Sequence, residues 1–234
     1  MAVVCAKAVL LAAVMLASVA QLCMGARRRM ELYRPDPADM LSYHNGAVLH
    51  GDIAVSVLWY GNFKPAQKAV IVDFLLSLTA ETQAASPSVA QWWSTIDQQY
   101  LSPASAKSNG AGAKTRVLLA DQLSDGECST GKSLTLEQIT ALAATASPKK
   151  GGVAVVFTAQ DVAVEGFGGS SDAPLEAATA CPGVFGNGAY PGYAGDLKVD
   201  QATGASYNCN GAHGRKYLLP ALYDPSKSAC GTLV

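Results

Sequence analysis

Residues 126–133, GECSTGKS, fit the spacing G-x-x-x-x-G-K-[ST] of the loop that holds phosphates in many nucleotide hydrolases. Such a loop needs backbone N–H groups that point at the phosphates, and its Gly-Lys-Ser residues form the first turn of a helix. Here the local signals place the helix start later, because Thr135 and Gln138 have the spacing of a capping box. The helix is therefore predicted to begin near Leu136, which leaves the lysine and serine of the motif outside it.

Neighbouring residues also argue against a nucleotide site. Asp125 and Glu127 would place negative charge beside the phosphate oxygens. Cys128 lies inside the loop and is a candidate for a disulfide. We interpret the segment as a turn that leads into a capped helix, and nucleotide binding through Gly126–Ser133 is the least favoured of three functional hypotheses.

Histidines and carboxylates offer two other kinds of chemistry. The three histidines, His44, His50 and His213, lack the H-E-x-x-H motif and the i, i+4 spacing of helical metal ligands, so no metal site is predicted. No G-x-S-x-G segment is present, so a nucleophile elbow is not indicated. Two carboxylates roughly 5–10 Å apart would suit a glycosidase. The candidates near apolar segments are Asp52, Asp73, Asp161, Glu165 and Glu176.

Tyrosines are scattered through the C-terminal part of the chain. Exposed aromatic rings can stack on sugar rings, but tyrosine also packs well on half-buried sheet surfaces. The sequence favours core packing over sugar binding for these rings, which are Tyr190, Tyr193, Tyr207, Tyr217 and Tyr223.

The first 26 residues have the pattern of a secretory signal peptide. Lys7 supplies a weak positive charge, and Val9–Ala20 is an apolar stretch that is shorter than a bilayer requires. No later stretch is apolar for long enough to predict a membrane helix. The net charge of −1 provides no basic surface for nucleic acid. We therefore expect residues 27–234 to form an exported, soluble domain.

Export determines what the cysteines are expected to do. In an oxidising compartment an even number of cysteines favours disulfides. The candidates are Cys128, Cys181, Cys209 and Cys230, which allow three pairings. No C-x-x-C pair is present, so the sequence does not support a zinc site. We predict two disulfides and no cofactor.

Strands and helices that would position these residues alternate along the chain. Residues 47–61 predict two strands around a turn at His50–Asp52, and the second strand has the apolar run of one buried on both faces. TRVLLA and GGVAVVFTA predict two more buried strands. Helices are predicted from Pro65, after Ser86-Pro87 with Ser86 as the capping residue, and over Leu134–Ala146. A loop is predicted over Ser102–Ala113.

The order of these elements indicates the fold class. Strands that alternate with helices argue for an α/β fold, with α+β as the alternative, in which helices pack on a mixed sheet. After Phe167 the sequence becomes rich in Gly, Pro, Asn and Tyr and loses any helical period. We predict that this C-terminal region consists of short strands and turns held by cysteines, within the single domain 27–234.

Several long segments resemble the plant exordium or phosphate-induced protein 1 family. They include YHNGAVLHGDIAVSVLWYGNF (43–63), CSTGKSLT (128–135) and FTAQDVAVEGF (157–167). The C-terminal region adds APLEAATACPGVFGNGAYPGYAGDLKVD (173–200), GRKYLLPALYDP (214–225) and the terminus CGTLV. The resemblance covers nearly all of residues 27–234, and the 173–200 segment is very specific.

The resemblance implies a function but no catalytic residues. Family members are secreted to the apoplast and cell wall and are associated with brassinosteroid- and phosphate-responsive cell expansion and growth. We therefore expect a binding protein rather than an enzyme, with a wall polysaccharide or an extracellular receptor-like protein as partner. The runner-up is a secreted carboxylate-dependent hydrolase of wall polysaccharide.

The chain departs from the family pattern around residues 168–172. Members carry several tens of residues between the segments that match VAVEGF and APLEAATAC, including a cysteine-rich stretch and a further apolar helix. Here only Gly168-Gly169-Ser170-Ser171-Asp172 joins them. Cys209 stands where the family commonly has a small residue such as alanine, so the family's disulfide pattern does not transfer directly.

Overall fold

A computed structural model of the protein describes residues 46–79, 84–108, 112–165 and 180–233. The signal peptide expected at 1–26, the junction at 168–172, His44 and Glu176 lie outside these ranges. In chain order the elements are β1 (Asp52–Tyr60), α1 (Pro65–Leu78), α2 (Val89–Ile96), a π-helical turn (Asp97–Leu101), α3 (Ser102–Lys107), β2 (Arg116–Asp125), β3 (Ser133–Leu134), α4 (Leu136–Thr145), β4 (Val153–Thr158), β5 (Ala163–Val164), β6 (Lys198–Val199), β7 (Ser206–Tyr207), β8 (Cys209–Asn210), β9 (Lys216–Tyr217), β10 (Leu222–Asp224) and β11 (Ala229–Gly231).

Strand β1 is the middle of a three-stranded parallel sheet with the order β2-β1-β4. Successive side chains of a strand point to opposite faces, so a strand covered on both sides is apolar throughout. Val55, Val57 and Trp59 pack in one cluster with residues of α1 and α2, whereas Leu58 and Tyr60 pack in another with Leu142 of α4. The predicted α/β arrangement and the buried β1 strand are thus confirmed.

Helix starts follow local capping signals. Pro65 is the first residue of α1, and the N–H of Lys64 donates to the Gln67 side chain at 2.8 Å. Thr135 Oγ1 accepts from the N–H of Gln138, so α4 begins at Leu136 as predicted. For α2 the predicted cap at Ser86 is wrong: the Oγ of Ser88 accepts from the N–H of Gln91.

Three other expectations about elements are wrong. Residues 46–50 form no strand, so the expected pair around His50–Asp52 is a single strand. Residues 102–107, expected to lie in a loop because of their serines, form α3. The segment contains two alanines, and a proline lies in its first turn; both features favour a helix. Strand β2 lies at the edge of the sheet and is mostly exposed, with only Val117 buried.

The C-terminal region, residues 180–233, is built from short strands that pair antiparallel. The pairs are β6 with β7, β8 with β9, and β10 with β11. A disulfide joins Cys181 to Cys230, as expected for a turn-rich region held by cysteines. Within the described ranges, no helix combines the length and apolar character needed to cross a membrane.

Glycine is required at one tight crossing in the C-terminal region. Gly195 has φ +98°, and a Cβ added there would overlap the carbonyl group of Gly186. Gly192 has a similar φ of +90°, but no atom lies within 4 Å of a Cβ at that position. Both sites impose the strain of a left-handed conformation on alanine, whereas only Gly195 adds a backbone clash.

We expect Gly195→Ala to lower the free energy of unfolding by about 2 kcal/mol more than Gly192→Ala, because a backbone atom cannot move aside as a side chain can. Urea denaturation of the two variants measures this difference. Equal losses would mean that conformational strain alone, rather than the contact with Gly186, sets the requirement for glycine.

Candidate functional site

Three backbone donors of the loop that carries the G-x-x-x-x-G-K-S motif are bonded to groups of the protein itself. The N–H of Ser129 donates to Asp125, that of Thr130 to the Tyr60 hydroxyl at 2.9 Å, and that of Gly131 to the Cys128 carbonyl at 2.7 Å. Lys132 is exposed and forms an ion pair with Asp161. These are among the groups that a phosphate would need, so the geometry agrees with a turn before a capped helix.

The candidate carboxylates within the described residues each have a different partner. Asp52 pairs with Arg116, Asp161 with Lys132, and Asp73 with His213. Glu165 closes the β3–β5 ladder through its N–H, which donates to Leu134 O. His50 is an exposed residue just before β1. The arrangement that the structure does form is an aspartate–histidine pair, which the sequence pattern did not reveal.

Asp73 is the centre of a hydrogen-bonded cluster between α1 and the β8–β9 hairpin. Its carboxylate is buried, with Oδ1 2.7 Å from His213 Nδ1, and Oδ2 accepts from the Tyr217 hydroxyl at 2.7 Å. Ser77 Oγ donates to the Asp73 carbonyl at 2.6 Å and accepts from the N–H of Ala212 at 2.9 Å. We call Asp73, Ser77, His213 and Tyr217 the Asp73 cluster.

Gly211 allows the hairpin to approach the carboxylate closely. A Cβ at this position would lie 2.8 Å from Asp73 Oδ2 and 2.8 Å from Tyr217 Cε2. The segment Gly211–Tyr217 is therefore fitted against α1 by shape as well as by hydrogen bonds. The cluster holds the C-terminal region against α1, which packs on the parallel sheet.

The electrostatics of the Asp73 cluster keep Tyr217 protonated. Burial raises the pKa of Tyr217, and its hydrogen bond to the Asp73 carboxylate raises that pKa further, so the hydroxyl remains a donor. The His213 side chain is 64% exposed while the Asp73 side chain is only 7% exposed. An imidazole that is oriented by a buried carboxylate can accept a proton from water or a hydroxyl group.

A groove of about 320 Å³ adjoins the cluster and shares Tyr217 with it. One wall comes from the turn and strand at residues 200–207, the other from residues 214–217, and Val70 of α1 contributes as well. Lys216 Nζ lies 2.7 Å from Asp200 Oδ2 and 4.8 Å from the centre of the Tyr207 ring. The hydrogen bond between them raises the pKa of Lys216 and lowers the pKa of Asp200, so both stay charged near neutral pH.

A second cavity, of about 240 Å³, lies between α2 and strands β10 and β11. Its walls include Trp92, Phe185 and the disulfide residue Cys230. The charged residues at this cavity, Asp224 and Lys227, pair with each other at 3.1 Å. Among the described residues, no group of three or more His, Cys, Asp or Glu side chains is placed to hold a metal ion.

Two of the four cysteine candidates do not form the second disulfide that was expected. Cys128 and Cys209 are free buried thiols that belong to different core clusters, on opposite faces of the parallel sheet. A bridge requires Cα atoms within about 7 Å, and the sheet lies between these two residues. Burial raises the pKa of Cys209 to about 12.

We expect Cys209 in the folded protein to react with iodoacetamide at pH 8 at least a hundredfold more slowly than an ordinary thiol, because only the thiolate is nucleophilic. Burial blocks access as well, since the side chain is fully inaccessible. Peptide mapping by mass spectrometry after timed labelling measures the rate, with protein unfolded in urea as the reference. Rapid labelling of native protein would contradict the buried position.

Comparisons with known proteins place the sequence among plant relatives. The family model described as the phosphate-induced protein 1 conserved region matches residues 41–171 and 167–233. Protein PHOSPHATE-INDUCED 1 of Nicotiana tabacum is 36% identical, with 93% of this chain and 96% of the relative covered. Protein EXORDIUM of Arabidopsis thaliana is 35% identical, with the same coverage. Protein EXORDIUM-like 1 of Arabidopsis thaliana is 32% identical, with 94% and 97% covered. No solved structure matches significantly.

The alignments also bear on the length of the chain. The tobacco relative aligns over 306 positions, more than the 234 residues of this chain, so the relative carries residues that have no counterpart here. The two matches to the family model meet at residues 167–171.

Proposed function

This chain belongs to the phosphate-induced protein 1 family, and on that premise we propose that it is a secreted plant protein of the apoplast and cell wall. In this proposal it takes part in hormone- or nutrient-responsive cell expansion, brassinosteroid signals included, and acts by binding rather than by catalysis. The partner is a wall polysaccharide, with an extracellular receptor-like protein as the alternative. We also propose that residues 1–26 are removed on export and that 27–234 form one domain, shortened around 168–172.

The groove beside the Asp73 cluster is the observation that supports binding. It is open, it is in the size range of ligand sites, and it combines Tyr207 with fixed charges at Asp200 and Lys216. The Asp73 cluster holds one wall of the groove on α1, so little ordering is needed when a ligand arrives.

Retention of the secreted chain on insoluble wall polysaccharides tests this proposal. We expect retention of the native protein and a clear loss for Tyr207→Ala, which removes an aromatic wall of the groove. Tyr190→Ala is the matched control, because Tyr190 is exposed but does not line the groove. The proposal fails if no wall polysaccharide retains the protein, or if both variants behave alike. Sequencing the N-terminus of the product in the culture medium tests export.

A secreted hydrolase of wall polysaccharide is the second candidate function. Among the described residues, the candidate carboxylates Asp52, Asp73 and Asp161 pair with cationic or histidine side chains, and the Asp73–His213 pair beside a groove favours proton transfer chemistry. Release of reducing ends from purified wall polymers measures turnover. Turnover that disappears in His213→Ala and Asp73→Asn would select the hydrolase over the binding protein.

A further inference from the structure

The charges of the groove point to an acidic ligand. Arg215 and Lys216 are positive and Asp200 is negative, so the groove carries an excess of one positive charge in a chain whose net charge is −1. Lys216 is paired with Asp200, whereas Arg215 is exposed and forms no ion pair with any described residue. The guanidinium group is therefore the cation that a ligand can reach at the smallest desolvation penalty.

The chemistry of Arg215 selects among anions. A guanidinium group presents planar pairs of N–H donors that match the two oxygens of a carboxylate or a phosphate. Thr203 and Ser206 line the same groove and supply hydroxyl groups, and Tyr207 supplies a ring. Hydroxyls and rings next to a cation suit a sugar acid better than a bare inorganic anion, which has no ring to pack and fills only a fraction of the groove.

The hairpin geometry holds Arg215 in place for such a ligand. Arg215 lies between His213 and Tyr217, which both bond to the buried Asp73, and the N–H of Gly211 donates to the Arg215 carbonyl at 2.7 Å. The backbone that carries the guanidinium is therefore fixed at both ends. A cation on a fixed backbone loses less conformational entropy on binding than one on a free loop.

We infer that the groove binds an acidic polysaccharide through the carboxylates of uronic-acid residues, with Arg215 as the principal contact. This inference rests on the proposed function, since it names the chemical class of the wall polymer. The groove is open to solvent, so a bound sugar can belong to a longer chain.

Affinity measurements on immobilised polymers test the inference. The probes are polygalacturonate as the acidic polymer and xyloglucan as the neutral one, with inorganic phosphate as a competing small anion. We expect the secreted chain to bind polygalacturonate in low salt, to bind xyloglucan at least tenfold more weakly, and to lose affinity as sodium chloride screens the contact. Arg215→Gln is expected to weaken binding to polygalacturonate at least tenfold.

Lys150→Gln is the matched control, because it removes one exposed positive charge outside the groove and should leave binding unchanged. Arg215 is exposed, so an unaltered thermal midpoint is expected for its variant. Binding to xyloglucan but not to polygalacturonate would overturn the inference and leave the proposed function standing. Binding to neither polymer would overturn the inference, and the retention assay on insoluble wall polysaccharides would then decide the proposed function by itself. Equal losses of affinity in the two variants would overturn the inference in favour of a general charge effect. Displacement of the polymer by inorganic phosphate at low concentration would overturn it in favour of a small-anion site.

Discussion

Replacing both Cys181 and Cys230 by alanine is expected to lower the free energy of unfolding by about 4 kcal/mol. The disulfide closes a loop with a sequence separation of 49 residues. In the chain-entropy model, closing a loop of this length lowers the conformational entropy of the unfolded state and so raises its free energy by about 4 kcal/mol. The region it closes has only two- and three-residue strands, which bury little apolar surface of their own. Guanidinium denaturation of the native protein and the double variant measures the loss.

Reduction provides the control for this prediction. Dithiothreitol should lower the stability of the native protein to that of the double variant, and it should leave the variant unchanged. Cys128 and Cys209 are already thiols, so a reductant has no bond to break at either residue. If the reductant also destabilised the double variant, a second disulfide would have to exist, contrary to the structure.

The pairing of the cysteines shows which features of the fold the sequence could predict and which it could not. Four cysteines in a chain that is expected to be exported predict bridges, but the pairing depends on which Cα atoms the fold brings together. Cys181 and Cys230 come within 5.9 Å, whereas Cys128 and Cys209 are held on opposite faces of the sheet. No local pattern encodes that separation, because it follows from how β1, α2 and α4 are layered.

Local patterns were sufficient where one element decides its own structure. The apolar run of β1 predicts a strand buried on both faces, and the Thr135–Gln138 pair predicts where α4 begins. The same local view fails for α3, where serines suggested a loop, and for β2, whose apolar residues lie at the edge of the sheet. Whether a strand lies in the middle or at the edge of the sheet depends on the tertiary structure, and the composition of the strand does not predict it.

The candidate site is non-local in the same way. Asp73 and His213 are 140 positions apart, so their partnership appears only in the folded chain. Gly211 offers a partial signal, since a glycine can mark a place where the backbone is approached closely, but nothing in the sequence names the carboxylate that lies there. The groove follows from that contact, because one of its walls is the strand that the contact holds in place.

Asp73→Ala is expected to lower the free energy of unfolding by about 3 kcal/mol. Hydrogen bonds to a charged group contribute roughly 1.5–3 kcal/mol each, and Asp73 accepts two, from His213 and Tyr217. Part of that gain is offset in the native protein by the desolvation of a buried carboxylate. The Tyr217 hydroxyl, which is part-buried, would also lose its best acceptor. Urea denaturation at pH 7 measures the effect.

A double-mutant cycle identifies the source of this loss. His213→Ala alone should cost less than Asp73→Ala, because His213 is exposed and solvent replaces its contact. If the pair is coupled, the double variant will be more stable than the sum of the single losses implies, by about 1 kcal/mol. Tyr217→Phe keeps the ring that packs on Phe74 and removes only the hydroxyl, so it isolates the second hydrogen bond.

The same variant connects stability to binding. Asp73 does not line the groove, yet it fixes the hairpin that carries Arg215 and Lys216. Asp73→Ala should therefore weaken retention on polygalacturonate even at temperatures where the protein remains folded, whereas Tyr190→Ala should not. If Asp73→Ala were as stable as the native protein, desolvation of the buried carboxylate would cancel the hydrogen bonds, and the Asp73 cluster would not be what holds the groove open.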